Sequence, residues 1–439
     1  KNMKKVNNGL ELYLKAKKNI LGGTMLLSKK PELWLPKFWP TYFKRANKIS
    51  VWDLNNKKYI DMICAVGQNT LGYAHKKIDD MVIKSIKKSN MTTLNCPEEV
   101  ELSEILLKMN SWADKVKFAR TGGEANSIAI RIARAASKKD NIAICGYHGW
   151  HDWYLAVNLT KKNGLKNHLL NGLKTTGVPK FLKNTTHPFE YGRIDQLKEI
   201  IKKKNIGIIK IEIARSSLPD KKFIKKVSQL AKKNKIILIF DECTSGFRRN
   251  FGGLYLDLGV KPDIVIYGKA IGNGYALTAV VGNKKVMTAA SSCFISSTFW
   301  TERIGYVAAI NTLKEMQRMK SWKILIKNGK HIITGLKYLA KKYNLNLKIE
   351  GIESIINFNF LSKYNIYYKT YIAQEMLKKG YLASNIMYVT IYHNEVVVNR
   401  YLKKLEPIFK KIESFERNKD VRKKLNGPAC ETGFGRLTN

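Results

Sequence analysis

The sequence has few acidic residues, few cysteines and no long hydrophobic run. Its 439 residues contain only 34 aspartates and glutamates against 79 lysines and arginines, a formal net charge of +45. The six cysteines are scattered and form no CxxC pair, which favours reduced thiols in the cytoplasm over a disulfide framework or a zinc site. No apolar stretch approaches the ~18 residues of a membrane helix, so we expect no membrane partner.

The excess of positive charge does not by itself indicate nucleic-acid binding. The lysines are dispersed along the chain, recur at the spacing of one helix face, and are accompanied by no motif that reads DNA or RNA. We therefore expect no nucleic-acid partner, and we expect the charge to attract anionic small molecules.

Short apolar runs alternate with helical stretches through the middle of the chain, which predicts an α/β fold with a mainly parallel sheet. The runs are 142–145, 206–213, 236–240, 264–267 and 278–282. Residues 43–62 resemble a hairpin, with two strand-like runs around the turn-rich stretch LNNKK. We predict an N-terminal segment with part of a small domain at 1–75, a large domain at 76–320 and a C-terminal small domain at 321–439.

Several polar residues follow the predicted buried strands. Lys269 comes after the non-alternating run 264–267, and Asp241 ends the run 236–240, one helix-and-strand unit earlier. A buried carboxylate is costly unless it meets a cation, and the carboxyl ends of such strands are where α/β sheets bind ligands. We therefore expect Asp241 and Lys269 at adjacent or near-adjacent strand ends.

Two further segments complete a pattern. Gly122 and Gly123 precede a helix, where backbone N–H groups and the helix dipole favour an anion such as phosphate. Tyr147 follows the run 142–145 and offers a ring for stacking. His148 and His151 suggest a metal, but no third ligand accompanies them. An anion cradle, an aromatic ring, a buried carboxylate and a lysine together are what pyridoxal phosphate (PLP) requires.

Five segments resemble the motifs of class III PLP-dependent aminotransferases, in the branch of glutamate-1-semialdehyde aminomutase. They are FARTGGEAN, YHGWHD, LIFDECTSGFR, PDIVIYGKAIGNG and STFWTERIG. The resemblance covers nearly the whole chain. It implies the type I, aspartate aminotransferase-like fold, with a seven-stranded, mainly parallel sheet in the large domain and a smaller α+β domain. It also implies a homodimer with active sites at the subunit interface.

The resemblance implies a role for each matching residue. Lys269 would form the imine with the cofactor and carry the proton, and Asp241 would pair with the pyridine nitrogen. The other implied cofactor contacts are Gly122 and Gly123 at the phosphate, Tyr147 and Cys243 on the two ring faces, His148 and Glu212 near the cofactor, and Thr298 at the phosphate of the neighbouring subunit.

Three positions depart from the family pattern. Gly123 stands where a hydroxyl residue is usual, so one phosphate hydrogen bond is either missing or supplied by another residue. Ile213 stands where a proline usually follows the glutamate, and Met387 stands where the aminomutase pattern has a glutamate beside the substrate.

We therefore expect an aminotransferase that uses an amino donor and an oxo acceptor, both small and anionic. Arg215 is the candidate clamp for a carboxylate or phosphate, with a surface salt bridge as an equal alternative, and Arg120 is the next candidate. An aminomutase, which shifts the amino group within one molecule, is the alternative reaction. A non-enzymatic or nucleic-acid-binding role is the alternative of another class, and the intact Lys269 and Asp241 count against it.

Overall fold

The computed structural model describes residues 8–160, 173–214 and 218–431. The chain divides into a large unit, Lys76–Lys323, and a small unit that combines Lys1–His75 with Ile324–Asn439. The strands are β1 (Phe43–Asn47), β2 (Ser50–Asp53), β3 (Lys58–Asp61), β4 (Lys115–Ala119), β5 (Asn141–Cys145), β6 (Thr186–Pro188), β7 (Ile206–Glu212), β8 (Ile237–Glu242), β9 (Ile264–Tyr267), β10 (Thr278–Gly282), β11 (Leu347–Ile352), β12 (Ile355–Phe360), β13 (Tyr381–Leu382) and β14 (Ile386–Tyr388). The helices are α1 (Asn8–Asn19), α2 (Cys64–Gly67), α3 (Lys76–Ile86), α4 (Glu98–Met109), α5 (Gly122–Ser137), α6 (Asp152–Leu155), α7 (Ile194–Lys203), α8 (Lys221–Lys233), α9 (Lys284–Met287), α10 (Arg303–Met319), α11 (Ser321–Lys342), α12 (Asn365–Lys378) and α13 (Glu395–Asn418).

The large unit contains a seven-stranded sheet in the order β4-β10-β9-β8-β7-β5-β6. Its strands are parallel except β10, which is antiparallel to both β4 and β9. The predicted α/β fold with a mainly parallel seven-stranded sheet is therefore confirmed. Strand β6 was not predicted, because it has only three residues, includes Pro188 at the sheet edge and is too short to show a periodic pattern.

The apolar runs form strands because both faces of the sheet are covered. Every residue of β7, β8 and β9 is buried, and α5 packs its apolar residues Ile128, Ala129 and Ile132 into the same core as the strands. The polar residues that end these strands therefore lie at the boundary of a dry core, all at one edge of the sheet.

The small unit has one sheet in the order β1-β2-β3-β13 and another in the order β11-β12-β14. The hairpin predicted over 43–62 was wrong in its strand count, because the chain also reverses between β1 and β2. Asn47 pairs with Ser50, and Lys48 adopts a left-handed φ of 55° at this turn. Neither Lys48 nor Ile49 is a typical turn residue, so this reversal was not predictable from the local residues.

Candidate active site

Three of the predicted residues lie at the carboxyl ends of neighbouring strands. Glu212 and Asp241 are register partners at the ends of β7 and β8. Tyr267, at the end of β9, pairs with Glu242, and Lys269 follows directly after Gly268. This is the edge at which parallel α/β sheets bind ligands.

Lys269 lies in a tight turn after β9. Its φ of 41° is in the left-handed region, which costs a residue with a side chain about 1 kcal/mol. Its Nζ donates a hydrogen bond of 2.7 Å to Thr244 Oγ1. Gly268 permits the close approach to β8, because a Cβ there would lie 3.1 Å from Cys243 Sγ. The turn therefore holds the amine beside the end of β8.

Asp241 is buried beside two nitrogen-bearing side chains. Its Oδ2 lies 2.9 Å from His148 Nδ1 and 3.7 Å from Lys210 Nζ, and its Oδ1 accepts a hydrogen bond of 3.0 Å from the Cys243 N–H. Burial alone would raise the pKa of Asp241, but the charge of Lys210 and the His148 hydrogen bond hold it below its usual value. Asp241 is therefore a fixed negative charge.

His148 connects Asp241 to the loop after β5. Burial and the charge of Lys210 lower the pKa of His148 to about 4, so the ring is neutral at pH 7. Both ring nitrogens face acceptors, because Nε2 lies 3.1 Å from the Cys145 carbonyl. The carboxylate is the stronger acceptor, so the single ring proton lies on Nδ1 and His148 donates to Asp241.

Lys210 belongs to this cluster but was not among the residues predicted from the sequence. It lies within β7, is fully buried, and burial lowers the pKa of its amine despite the nearby charge of Asp241. A signal was available, because one lysine interrupts the apolar run IGIIKIE and a buried lysine requires an anion. Asp241 is that anion.

Glu212 fixes the loop that contains Tyr147. Its Oε2 accepts a hydrogen bond of 3.0 Å from the Tyr147 N–H. Gly146 has a φ of 100°, and a Cβ there would lie 2.5 Å from the Glu212 Cβ, so only glycine permits this approach. The Tyr147 ring packs edge-on against Tyr154, with the centroids 5.9 Å apart.

The glycine turn before α5 is a helix N-terminus with exposed N–H groups. Thr121 and Glu124 form a capping box, in which each side chain accepts a hydrogen bond from the other residue's N–H. Gly122 and Gly123 begin the helix, so their N–H groups lack intrahelical partners and lie at the positive end of its dipole. This is a suitable site for an anion.

Cys243 lies between the two glycine-containing turns. Its Sγ is 3.6 Å from the position of a Cβ on Gly122 and 3.1 Å from that of a Cβ on Gly268. Burial raises the pKa of the thiol well above its usual value, so Cys243 is neutral and packs as a small apolar group. It joins the anion site to the Lys269 turn.

The segment with Thr298 is tied to the glycine turn of its own chain. Arg120 donates hydrogen bonds to the carbonyls of Phe299 (2.9 Å) and Trp300 (3.1 Å), and Trp300 Nε1 donates to Glu124 Oε1 (3.2 Å). Arg120 thus binds backbone, which makes it a poor substitute for a substrate clamp. Arg215, the first candidate for that clamp, lies outside the described residues.

The two histidines of the loop after β5 have different partners. His148 contacts Asp241, whereas His151 Nδ1 contacts Ser127 Oγ. Among residues 8–160, 173–214 and 218–431, no group of three or more His, Cys, Asp and Glu side chains is arranged to hold a metal ion. No helix in these ranges is long and apolar enough to cross a membrane.

A sequence profile described as "Aminotransferase class-III" matches residues 37–399. The chain belongs to this family. It is an enzyme of the PLP-dependent kind, and its cofactor is PLP. The resemblance seen in the sequence is therefore confirmed.

Two curated proteins and one solved structure show what this chain is similar to. A 3-aminobutyryl-CoA aminotransferase of Cloacimonas acidaminovorans is 33% identical over 74% of this chain and 77% of its own length. A glutamate-1-semialdehyde 2,1-aminomutase of Campylobacter hominis is 29% identical over 88% of this chain and 89% of its own. The PLP internal aldimine form of FumI from Sphingopyxis sp. MTA144 has a TM-score of 0.83 at 24% identity, covering 94% and 98% of the two chains.

The site geometry fits PLP. The helix N-terminus at Gly122 and Gly123 suits the phosphate, and the ionised Asp241 suits a protonated ring nitrogen. The Lys269 amine lies at the end of the strand beside that of Asp241. Each group that the cofactor needs is present at one edge of the sheet.

Proposed function

We propose that this chain is an aminotransferase that transfers an amino group from an amino donor to a separate carbonyl acceptor. The observation that best supports PLP-dependent amino transfer is the pair of Lys269, an amine that follows β9, and Asp241, an ionised buried carboxylate in the neighbouring strand β8. When bound, PLP supplies a carbonyl for the substrate amine and a ring that takes up the electrons of the bond broken at the substrate carbon.

Each residue then has a defined task. Lys269 would hold the cofactor covalently, and its free amine would accept and return the proton at the substrate carbon. Asp241 stabilises a proton on the ring nitrogen, because its charge is fixed by Lys210 and His148. Tyr147 and Cys243 would bracket the ring, and the Gly122–Gly123 turn would bind the phosphate, while Glu212 would hold the Tyr147 loop.

The test of this assignment uses Lys269→Ala, with the exposed Lys226→Ala on α8 as the matched control. We expect wild type and control to absorb as a lysine-bound cofactor and to be reduced by borohydride to an adduct on Lys269. Lys269→Ala should lose ~10²–10⁴-fold or more of its turnover while keeping noncovalent PLP. An adduct on a different lysine would refute the assignment.

We also propose a cytoplasmic homodimer in which Thr298 contacts the phosphate of the neighbouring subunit. The apolar side chains of Phe294 and Phe299, 87% and 67% exposed in the single chain, support an interface near this segment. All six cysteines are free, as expected in a reducing compartment. Sedimentation should give a dimer at micromolar concentration, and a fully active monomer would contradict the role of Thr298.

The proposed substrates are anionic. The net charge of +45 supports this, since it attracts anions, and the sequence offers Arg215 as the clamp. Arg215→Ala should raise KM more than tenfold without affecting cofactor binding, whereas Arg215→Lys should retain charge but lose the bidentate geometry. An unchanged KM for every accepted substrate would place the clamp elsewhere.

The second candidate is an aminomutase, which the 29% identity to glutamate-1-semialdehyde aminomutase over 88% of the chain favours. Against it, Met387 has no carboxylate and is fully buried in the core of the small unit. An aminomutase rearranges one substrate without an oxo acid, whereas an aminotransferase stops after one half-reaction until an oxo acid is added. Turnover of a single amino substrate in the absence of any acceptor would favour the aminomutase.

A further inference from the structure

Two ring nitrogens lie directly beside Gly123 in the Gly122–Gly123 turn. A Cβ on Gly123 would lie 3.3 Å from His151 Nε2 and 3.5 Å from Trp150 Nε1. The loop that contains both rings lies directly against the turn, because a Cβ on Gly149 would lie 3.2 Å from the Gly123 Cα. The rings contact each other edge-to-face, with centroids 4.5 Å apart.

The hydrogen bonds of Ser127 determine which nitrogen of His151 has the proton. Trp153 Nε1, which can only donate, donates to Ser127 Oγ at 3.0 Å. The other contact of Ser127 Oγ is His151 Nδ1, which is the only acceptor for the hydroxyl proton among the described residues. We assign the hydroxyl proton to this contact with Nδ1, which places the proton of the neutral ring on Nε2. Burial lowers the pKa of His151, so the ring is neutral at pH 7.

His151 thus presents an N–H donor beside the glycine turn. The Trp150 indole N–H, which has no acceptor function, lies beside it. A neutral N–H bonded to a charged phosphate oxygen is among the stronger hydrogen bonds of proteins.

We propose that His151 Nε2–H, assisted by Trp150 Nε1–H, binds the phosphate of the cofactor in place of a side-chain hydroxyl at position 123. This inference rests on the proposed binding of PLP at the Gly122–Gly123 turn. It assigns to His151 a cofactor-binding role.

The experiment measures dissociation constants of the cofactor-free full-length protein for PLP and for pyridoxal, which lacks the phosphate. His151→Phe keeps a ring but removes the donor, and should weaken PLP binding about tenfold or more while leaving pyridoxal binding unchanged. His151→Gln keeps an N–H donor and should retain most of the PLP affinity. His331→Phe in the small unit is the control and should change neither constant.

A compensating pair makes the test sharper. Gly123→Ser alone should not improve PLP binding, because its Cβ would lie only 3.3 Å from His151 Nε2. Gly123→Ser combined with His151→Ala restores a hydroxyl and makes room for it, so it should recover PLP affinity relative to His151→Ala. Equal losses for PLP and pyridoxal in His151→Phe, or no loss of PLP affinity, would overturn the inference alone. A wild-type protein that binds PLP no better than pyridoxal would overturn the proposed phosphate site as well.

Discussion

Two buried aspartates, Asp241 in the large unit and Asp61 in the small unit, have pKa values that are shifted in opposite directions. Asp61 accepts hydrogen bonds from the N–H groups of Ile63 (2.7 Å) and Cys64 (3.0 Å) and from the Tyr73 hydroxyl (2.7 Å). Burial outweighs these neutral donors and raises the pKa of Asp61. The pKa of Asp241 is lowered instead, although it is buried as deeply.

The opposite pKa shifts of the two aspartates follow from the presence of a cation beside Asp241. Both carboxylates accept backbone hydrogen bonds, but only Asp241 has an ammonium group, Lys210 Nζ, 3.7 Å away. Neutral donors do not offset the loss of hydration, whereas a buried positive charge does. Asp61 therefore closes the turn after β3, while Asp241 is a permanent charge that can hold a proton on a ligand.

We expect the largest effect in turnover, which should depend strongly on Asp241 and hardly at all on Asp61. Asp241→Asn should lower turnover by at least ~10³-fold, since a neutral amide cannot stabilise a protonated ring nitrogen. Asp61→Asn keeps acceptors for the same turn and should leave turnover within about twofold of wild type. Steady-state kinetics at saturating PLP measure both. Near-native turnover in Asp241→Asn would make that residue structural only.

Glu242, the neighbour of Asp241 in β8, is also buried but has a raised pKa. It follows Asp241, so its side chain points to the opposite face of the sheet, where it accepts from the Tyr255 N–H and contacts Ser245 Oγ. Burial without a cation raises the pKa of Glu242 from 4.5 to about 7. Its neutral form therefore stabilises the fold below pH 4.5, and this contribution is lost as the pH rises through about 7.

Glu242→Gln should remove that pH dependence. The free energy of unfolding of wild type should contain a loss on the order of 3 kcal/mol between pH 4.5 and 8 that is missing in the variant. Denaturant titrations at several pH values measure it. The exposed Glu104→Gln on α4 is the control and should leave the pH profile unchanged. Parallel profiles for wild type and Glu242→Gln would mean that Glu242 is ionised throughout.

The two aspartates should also affect stability with opposite signs. The lowered pKa of Asp241 gives stability that is present above pH 3.8 and lost as the pH falls. The raised pKa of Asp61 gives stability that is present below pH 3.8 and lost as the pH rises through the folded-state value. From pH 3.5 to 7, Asp241→Asn should gain less stability than wild type, by about 0.6 kcal/mol, and Asp61→Asn should gain more. Changes of the same sign would contradict the opposite pKa shifts of the two aspartates.

The sequence predicts features that are local along the chain. The apolar runs predicted five of the seven strands of the large sheet, namely β5, β7, β8, β9 and β10, and the residues that follow two of those runs are Asp241 and Lys269. The reversal of β10 was not predictable, because strand direction depends on pairing with β4 and β9 rather than on its own residues.

Partnerships between distant segments were also missed. In the sequence, Lys210 is a single charged residue within an apolar run. Its partner, Asp241, lies on the neighbouring strand β8 and is identified only by the fold. His151 suggests a metal ligand together with His148, whereas its tautomer depends on Ser127 and Trp153. These contacts join loops and helices that the sequence does not bring together.

A change in the pKa of His148 tests directly whether Lys210 is positively charged. Lys210→Met removes the charge and keeps the length of the side chain. The charge of Lys210 helps to lower the pKa of His148 to about 4, so the variant should raise that pKa by on the order of one pH unit. Nuclear magnetic resonance titration of the histidine side chains measures it, and His151, which has no such lysine among the causes of its shift, serves as the internal control. An unchanged His148 pKa would mean that Lys210 is neutral in the folded protein, and the charge of Asp241 would then depend on the hydrogen bonds from His148 and the Cys243 N–H.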